Sequence, residues 1–301
     1  MGNSSNKPNL LESNQWQSPL EGVQKADNLI ALADKKYNSR SWLTPNEIAY
    51  EEAAELYIQA ANIYRSKDKF EAAAITYVKA GLAYDKQQLS QYEVSKNFAS
   101  AADAYSKVDI LKTIYYYDRA TEIAVENGKF GEAAEYQERI ATIHENADDI
   151  VQSIVSYRKA LNYHDNAKRS HKRKNCLLKI ATLSRKLRDY NGAAETYSNI
   201  VESYLSETLT KYYNNGYLFQ AMICLLCTGD LILVNRHLDQ YKKLCSTFET
   251  SNEYTIIINM VNAIDNMDLG SFDDIINQQR YKFKEVEDLL PIIRSQFNNV
   301  L

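Results

Sequence analysis

The chain has 301 residues, of which 45% are hydrophobic and 25% charged, and this is the composition of an ordinary folded protein. Its formal net charge of −4 provides no general attraction for nucleic acid, and no apolar run is long enough to span a bilayer. Four cysteines are too few for a disulfide framework in a chain of this length, which predicts a reducing, cytoplasmic setting.

The sequence divides into three parts by composition and period. Residues 1–19 are rich in Asn, Ser, Gln and Pro without an apolar period, which predicts a disordered polar leader. Residues 20–250 show a helical period, and the repeat register fades over 251–301, where we expect a C-terminal helical bundle that caps the repeats. In that cap the pattern predicts helices over 252–267, 271–281 and 284–298, with Pro291 interrupting the last one.

A forty-residue repeat organises the middle of the chain. Alanines recur at this spacing, and tyrosines follow sixteen positions after the first four of them: Ala61, Ala101, Ala141, Ala181, Ala221, then Tyr77, Tyr117, Tyr157, Tyr197. Asp109, Asp149 and Asp189 share the period, each just before a helical run, as helix N-caps do. Forty residues accommodate two helices and their turns, so we predict an all-α, right-handed, tetratricopeptide-like solenoid of about fourteen helices.

The turn between the first two predicted helices contains Trp42 and Leu43. An apolar pair in a turn has two interpretations. The pair can fold back onto the first hairpin, or it can insert into the interface of a bilayer, where tryptophan is well accommodated and Arg40 meets anionic headgroups.

A basic segment begins at residue 168 and continues through the helix that follows. From Lys168 to Arg188 there are nine Lys and Arg residues and no acid, with Lys172 and Arg173 near the start. One interpretation is a solvated loop between helices. The other is an electropositive face for an acidic protein partner, and no aromatic interleaving favours nucleic acid instead.

No pattern typical of catalysis or metal binding emerges. The four histidines lack metal-ligand spacing, and Cys224 and Cys227 form a C-x-x-C inside an apolar helix without a second pair, which favours two small core residues. There is no phosphate-cradling glycine loop or hydrolase motif. We therefore expect neither an enzyme nor a protein with a cofactor, a metal or a small-molecule substrate.

Several segments resemble the soluble NSF-attachment protein (SNAP) family, its α/β branch more than its γ branch. They are residues 52–64, 126–130, 175–181, 209–213 and 238–244, and the likeness runs from about residue 25 to 265. The resemblance implies a fourteen-helix solenoid that binds the four-helix bundle of membrane-fusion SNARE proteins along its concave face. It also implies recruitment of NSF, a hexameric AAA ATPase that unwinds the bundle, and a peripheral association with membranes during vesicle transport.

Carried onto this sequence, the resemblance assigns SNARE contacts to Lys129, Lys179 and Lys211, to which the basic segment adds Lys172 and Arg173. Trp42 and Leu43 occupy the place of the family's membrane-touching loop, which usually carries phenylalanines.

The C-terminus departs from the family pattern. Family members usually end in an acidic run followed by leucine, and that leucine engages the ATPase. Leu290 and Leu301 are the candidates here, yet the last thirteen residues contain no acid. Two alternatives therefore stand beside the adaptor. One is a mimic that binds SNAREs without supporting their disassembly, and the other is a general tetratricopeptide scaffold for peptide partners.

Overall fold

The computed structural model describes residues 19–39, 46–87, 90–205 and 211–298. Over these residues the chain forms fourteen α-helices and no β-strand, so the prediction of an all-α protein with about fourteen helices is confirmed. The chain divides into two units, residues 1–128 and 129–301. The predicted leader falls outside the described residues except for its last position, Pro19, where the first helix begins.

The first unit contains five helices, in which consecutive helices pack against each other. They are α1 (Pro19–Tyr37), α2 (Asn46–Ser66), α3 (Phe70–Gln87), α4 (Gln91–Tyr105) and α5 (Ile110–Glu126). The core is built largely from fully buried alanines, among them Ala61, Ala73 and Ala101. Because alanine side chains are short, the helix axes can approach closely along these seams.

Tyrosine hydroxyls at the seams donate to acceptors on neighbouring helices. Tyr57 and Tyr64 on α2 donate to Asp34 and Asp27 on α1, and this reversed order shows that the two helices run antiparallel. Lys79 on α3 also reaches the Asp34 carboxylate, at 3.1 Å. Buried rings with hydrogen-bonded hydroxyls explain why the repeat favours tyrosine over phenylalanine at these seams.

The second unit contains the remaining nine helices. They are α6 (Phe130–Asn146), α7 (Ile150–Asn166), α8 (Ser170–Lys186), α9 (Tyr190–Tyr204), α10 (Lys211–Leu226), α11 (Leu231–Leu244), α12 (Asn252–Asp265), α13 (Leu269–Gln278) and α14 (Leu290–Ser295). A continuous apolar core joins α8–α10 to the C-terminal helices, and its largest buried side chains include Phe248, Phe272 and Phe283.

The repeat columns are buried as the forty-residue period predicts. The five alanines of the column are fully buried, and each of the four tyrosines is at most 5% exposed. Asp109, Asp149 and Asp189 are the predicted N-caps, and each carboxylate accepts a hydrogen bond from the backbone N–H three residues later, at 2.9–3.2 Å. The N-cap predictions are therefore confirmed.

Several turns between consecutive helices contain one left-handed residue. Gly128 and Gly229 have φ of 69° and 74°, and Asp148, Lys168 and Arg188 take the same conformation with φ of 54–59°. After each of the three non-glycine residues, the next backbone N–H bonds a carbonyl five residues back, as in the 2.9 Å bond from Asp189 to Ser184. This is the Schellman arrangement that closes a helix.

The prediction that Pro291 interrupts a helix over 284–298 is wrong. That segment is a 3₁₀ helix, Lys284–Leu289, followed by α14 and a second 3₁₀ helix, Gln296–Asn298. The break falls earlier, at Val286, whose φ of −132° is not helical and whose side chain is buried in the core. Pro291 stands in the first turn of α14, where its missing N–H leaves no hydrogen bond unmade.

Candidate protein-binding face

The helices α6 and α8 are joined side by side by a ladder of ion pairs. Arg169, just before α8, reaches Glu135 at 2.7 Å. Lys179 reaches Glu145 at 3.0 Å, and each of these bases lies 34 residues after its acid. A constant separation means that α6 and α8 run parallel, two helices apart in the chain. We call this set of pairs the α6–α8 ladder.

The lysines of the ladder lie on the outside of their pairs. The Lys179 side chain is 50% exposed, whereas that of Glu145 is 22% exposed. Lys172 and Glu138, 4.0 Å apart, show the same order at 49% and 26%. An ammonium has three N–H donors, so a lysine held by one carboxylate can still bind a second acceptor that arrives from solvent.

The other predicted basic residues occupy different settings. Arg173 is partly buried, because it pairs with Asp165 at 2.6 Å and donates to the Ser203 hydroxyl at 2.7 Å. Lys129 is exposed at the N-cap position of α6, and in the part of the chain that the structure describes it makes no ion pair. Lys211 is the first residue of α10, and its side chain lies outside the described atoms.

A groove of about 510 Å³ lies next to the ladder, between α8 and α10. Leu178 and Thr182 of α8 line one wall, and Tyr213 and Tyr217 of α10 line the other. Tyr213 is 70% exposed. Because the ladder and the groove share α8, the charged surface lies next to the aromatic one.

The predicted apolar contact sites are described only in part. Trp42 and Leu43 lie outside the described residues, so both interpretations of this pair stay predictions. Leu301 also lies outside the described residues. Leu290 begins α14, where it is half-buried against the core of the second unit. Its assignment to ATPase binding stays a prediction.

The cysteines of the C-x-x-C are core residues, as predicted. Cys224 in α10 and Cys227, just after its last residue, are free and buried, and burial raises the pKa of each thiol to about 12. Cys176 and Cys245 are also free and buried. The buried cysteine side chains act as small apolar groups in the core.

One cluster of possible metal ligands was not predicted from the sequence. Glu138 on α6, His164 on α7 and Cys176 on α8 bring an oxygen, a nitrogen and a sulfur within 4.8 Å of one another. They are 26 and 38 residues apart in the chain, so no short motif contains them. The shared repeat register is the one sequence signal that could have placed them at the same level of three successive helices.

No described helix combines the length and the apolar character needed to cross a membrane. Stacked helical hairpins that present a charged ladder and an aromatic groove define a helical-repeat scaffold, a class whose extended surfaces bind other proteins. The chain belongs to the soluble NSF attachment protein (SNAP) family, because the sequence profile of that family matches residues 24–287. The family prediction is thus confirmed.

Two relatives agree with this assignment, and one solved structure is also similar to the chain. The chain is 27% identical over 258 residues to the α-soluble NSF attachment protein of Vitis vinifera, covering 86% of this chain and 88% of the relative. It is 28% identical over 234 residues to a soluble NSF attachment protein homolog of fowlpox virus, covering 77% and 83%. The crystal structure of a Rap protein complexed with competence and sporulation factor is 14% identical, with a TM-score of 0.42 over 96% of this chain and 83% of that one.

Proposed function

We propose that the chain is an adaptor that binds assembled SNARE bundles and recruits an NSF-type hexameric ATPase, which hydrolyses ATP and unwinds the bundle. Membership of the family over residues 24–287 is the observation that carries this proposal. In this mechanism the chain supplies binding surfaces, and the chemistry belongs to the ATPase.

The α6–α8 ladder supplies the contact that this function requires. A SNARE bundle is an acidic coiled coil, and the outward lysines Lys172 and Lys179 offer it ammonium groups that are already oriented by Glu138 and Glu145. Preorientation lowers the side-chain entropy that binding costs, about 0.5–1.5 kcal/mol for each immobilised side chain. Lys129 adds a further cation at the start of α6.

The groove between α8 and α10 gives the same surface an apolar component. Tyrosine presents a large rigid area with few rotatable bonds and a hydroxyl for hydrogen bonding. Tyr213 and Tyr217 can therefore pack against the ridges of a helical partner whose acidic side chains meet the ladder. This combination recognises a shape and a charge rather than a peptide sequence.

A charge swap tests the face without removing the ion pair. Lys179→Glu combined with Glu145→Lys keeps the pair and the net charge but moves the carboxylate to the exposed position. We expect affinity for an assembled SNARE bundle at low salt to fall roughly tenfold, which is about 1.4 kcal/mol. The matched control is the same swap at Arg119 and Glu122 on α5, which lie 2.5 Å apart and are both exposed. Equal binding by both variants and the parent chain would show that the face is elsewhere.

The function itself is tested by adding NSF and ATP and following bundle dissociation. Dissociation that depends on this chain supports the adaptor, and the absence of bundle binding at low salt rules it out.

A membrane role for Trp42 and Leu43 forms part of the proposal. Trp42→Ser with Leu43→Ser should slow dissociation on liposomes and leave it unchanged in solution.

A second candidate function is a mimic that binds SNAREs without supporting disassembly. Residues 289–301 contain no acid, whereas members of the family usually carry an acidic run before the leucine that engages the ATPase. The similarity to a viral homolog is compatible with a mimic. Binding of the bundle without dissociation by NSF and ATP would select this candidate. In the adaptor, Leu301→Ala should abolish dissociation while binding persists.

A further inference from the structure

We propose that Glu138, His164 and Cys176 form a binding site for a zinc-like transition-metal ion beneath the α6–α8 ladder. The three side chains come from α6, α7 and α8, and their ligand atoms lie within 4.8 Å of one another. No other group of three such ligands occurs in the described ranges of the chain. The site shares Glu138 with the ladder, where Glu138 pairs with Lys172, but its other two ligands lie beneath the solvent-facing lysines that carry the proposed function.

The donor set suits zinc. An imidazole nitrogen, a thiolate sulfur and a carboxylate oxygen are its three protein ligand types, with bonds of about 2.0–2.3 Å. Tetrahedral coordination at these lengths places ligand atoms about 3.3–3.8 Å apart. The Glu138 Oε1 atom lies 3.7 Å from the Cys176 sulfur and 2.5 Å from His164 Nε2, and the imidazole nitrogen and the sulfur are at most 4.8 Å apart, so a metal requires the carboxylate to move away from the imidazole.

The burial of the site is uneven, which provides both a rigid base and an entrance. His164 is fully buried and Cys176 is 1% exposed, while the Glu138 side chain is 26% exposed. The two buried ligands are held by helix packing, and the carboxylate can open towards solvent to admit an ion. A water molecule would complete a tetrahedral shell on that side, as in zinc sites with three protein ligands.

Glu138 is the polar group that faces both His164 and Cys176 in the absence of a metal. His164 Nδ1 is buried and has no hydrogen-bond partner in the described structure, so Glu138 is the sole polar contact of this ring. Lys172 is the nearest cation, at 4.0 Å from the outer oxygen Oε2 of Glu138, which leaves Oε1 facing the histidine and the cysteine. A divalent ion would place positive charge directly between the three donor atoms.

Metal binding at this site must release a proton. Burial and the Glu138 charge raise the pKa of the Cys176 thiol to about 12, so the sulfur carries its proton at neutral pH. On coordination the metal–sulfur bond replaces the S–H bond, and the proton passes to the buffer. Affinity should therefore weaken as pH falls, because protons compete with the metal for the Cys176 sulfur.

Cobalt(II) titration of the full-length chain tests the proposal, since cobalt reports thiolate ligation by its charge-transfer absorption. We expect one cobalt per chain, displacement by zinc, and release of at least one proton per ion in weakly buffered solution. Cys176→Ser should remove the charge-transfer band, and His164→Gln should weaken binding at least about tenfold. The matched control Cys227→Ser, also buried with a pKa of about 12, should leave the titration unchanged.

Two results would overturn the proposal. One is the absence of a thiolate–cobalt band when cobalt equals or exceeds the protein. The other is a band that survives Cys176→Ser or disappears in Cys227→Ser, because the ligand would then be a different cysteine. If Cys176→Ser loses its helical circular dichroism, the test uses the other measurements. These are the cobalt absorption band and the proton release of the parent chain, together with the cobalt affinity of His164→Gln. These readouts involve neither SNAREs nor the ATPase, so they are independent of the proposed adaptor function.

Discussion

Replacing Asp288 by alanine is expected to cost more stability than replacing its partner Arg185 by methionine, although Arg185 makes more contacts. Arg185 on α8 pairs with Asp288 and donates to the Glu285 carbonyl at 2.9 Å and the Tyr197 hydroxyl at 3.3 Å. These bonds tie α8 to the segment that precedes α14. The side chain of Arg185 is 7% exposed and that of Asp288 is 61% exposed. Water can therefore solvate the Asp288 carboxylate without its partner, whereas the buried Arg185 guanidinium needs the carboxylate to balance its charge.

The magnitudes follow from that asymmetry. Asp288→Ala leaves a buried guanidinium with two neutral acceptors, and the lost charge-assisted bond is worth about 2–3 kcal/mol. Arg185→Met leaves a carboxylate that water can solvate, keeps most of the apolar stem, and removes the buried Nε–H that has no partner in the described structure. Its cost should be about 1 kcal/mol or less.

Urea denaturation followed by circular dichroism measures both costs. For a unit of this size, 2–3 kcal/mol corresponds to a melting temperature roughly 4–12 °C lower. Asp273→Ala is the matched control, because Asp273 pairs with Arg294 at 2.7 Å and both partners are partly exposed, which predicts a loss below about 1 kcal/mol. If Arg185→Met proves as destabilising as Asp288→Ala, the reasoning from desolvation is refuted.

Three other predictions follow from the turns, the α1 seam and the cysteines. Arg188 is exposed with φ of 59°, so Arg188→Gly should raise the free energy of unfolding in urea by about 0.5–1 kcal/mol. Gly128 has φ of 69°, so Gly128→Ala should lower the same free energy by about 1–2 kcal/mol. Changes of the opposite signs would contradict this account. Burial would raise the pKa of Asp34, but hydrogen bonds from its α2 and α3 partners hold it below the ordinary 3.8. The resulting stability is present above that value and is lost as pH falls through the folded-state pKa, so Asp34→Asn should be less stable near neutral pH and converge with the parent chain in acid. A stability difference that is independent of pH would disprove that assignment. Cys224 and Cys227 should react with a thiol reagent only as fast as the chain unfolds, and rapid labelling of the native protein would show that α10 is not packed as described.

The hairpin architecture could be predicted from the sequence because its signals are local. A helix N-cap depends on residues three apart, and Asp109 bonds the N–H of Lys112 within one turn. The alanine and tyrosine columns repeat the same local packing problem, so a period of forty is enough to place Ala141 and Tyr157 in the core. The local pattern was misleading at Pro291, because the helical conformation is interrupted five residues earlier, at Val286, whose side chain is buried in a core that distant helices build.

The surface chemistry was decided by tertiary structure. The basic segment after residue 168 looked uncompensated because its acids lie 34 residues earlier, on a helix that becomes its neighbour only when two hairpins stack. The same stacking sets Lys179 outside Glu145 and brings Glu138, His164 and Cys176 together. Sequence by itself determined the repeated helical hairpin and the family, because both depend on residue identities along one chain. Which charges remain available, and which ligands meet, depended on the register between helices, which is set by packing across the whole unit.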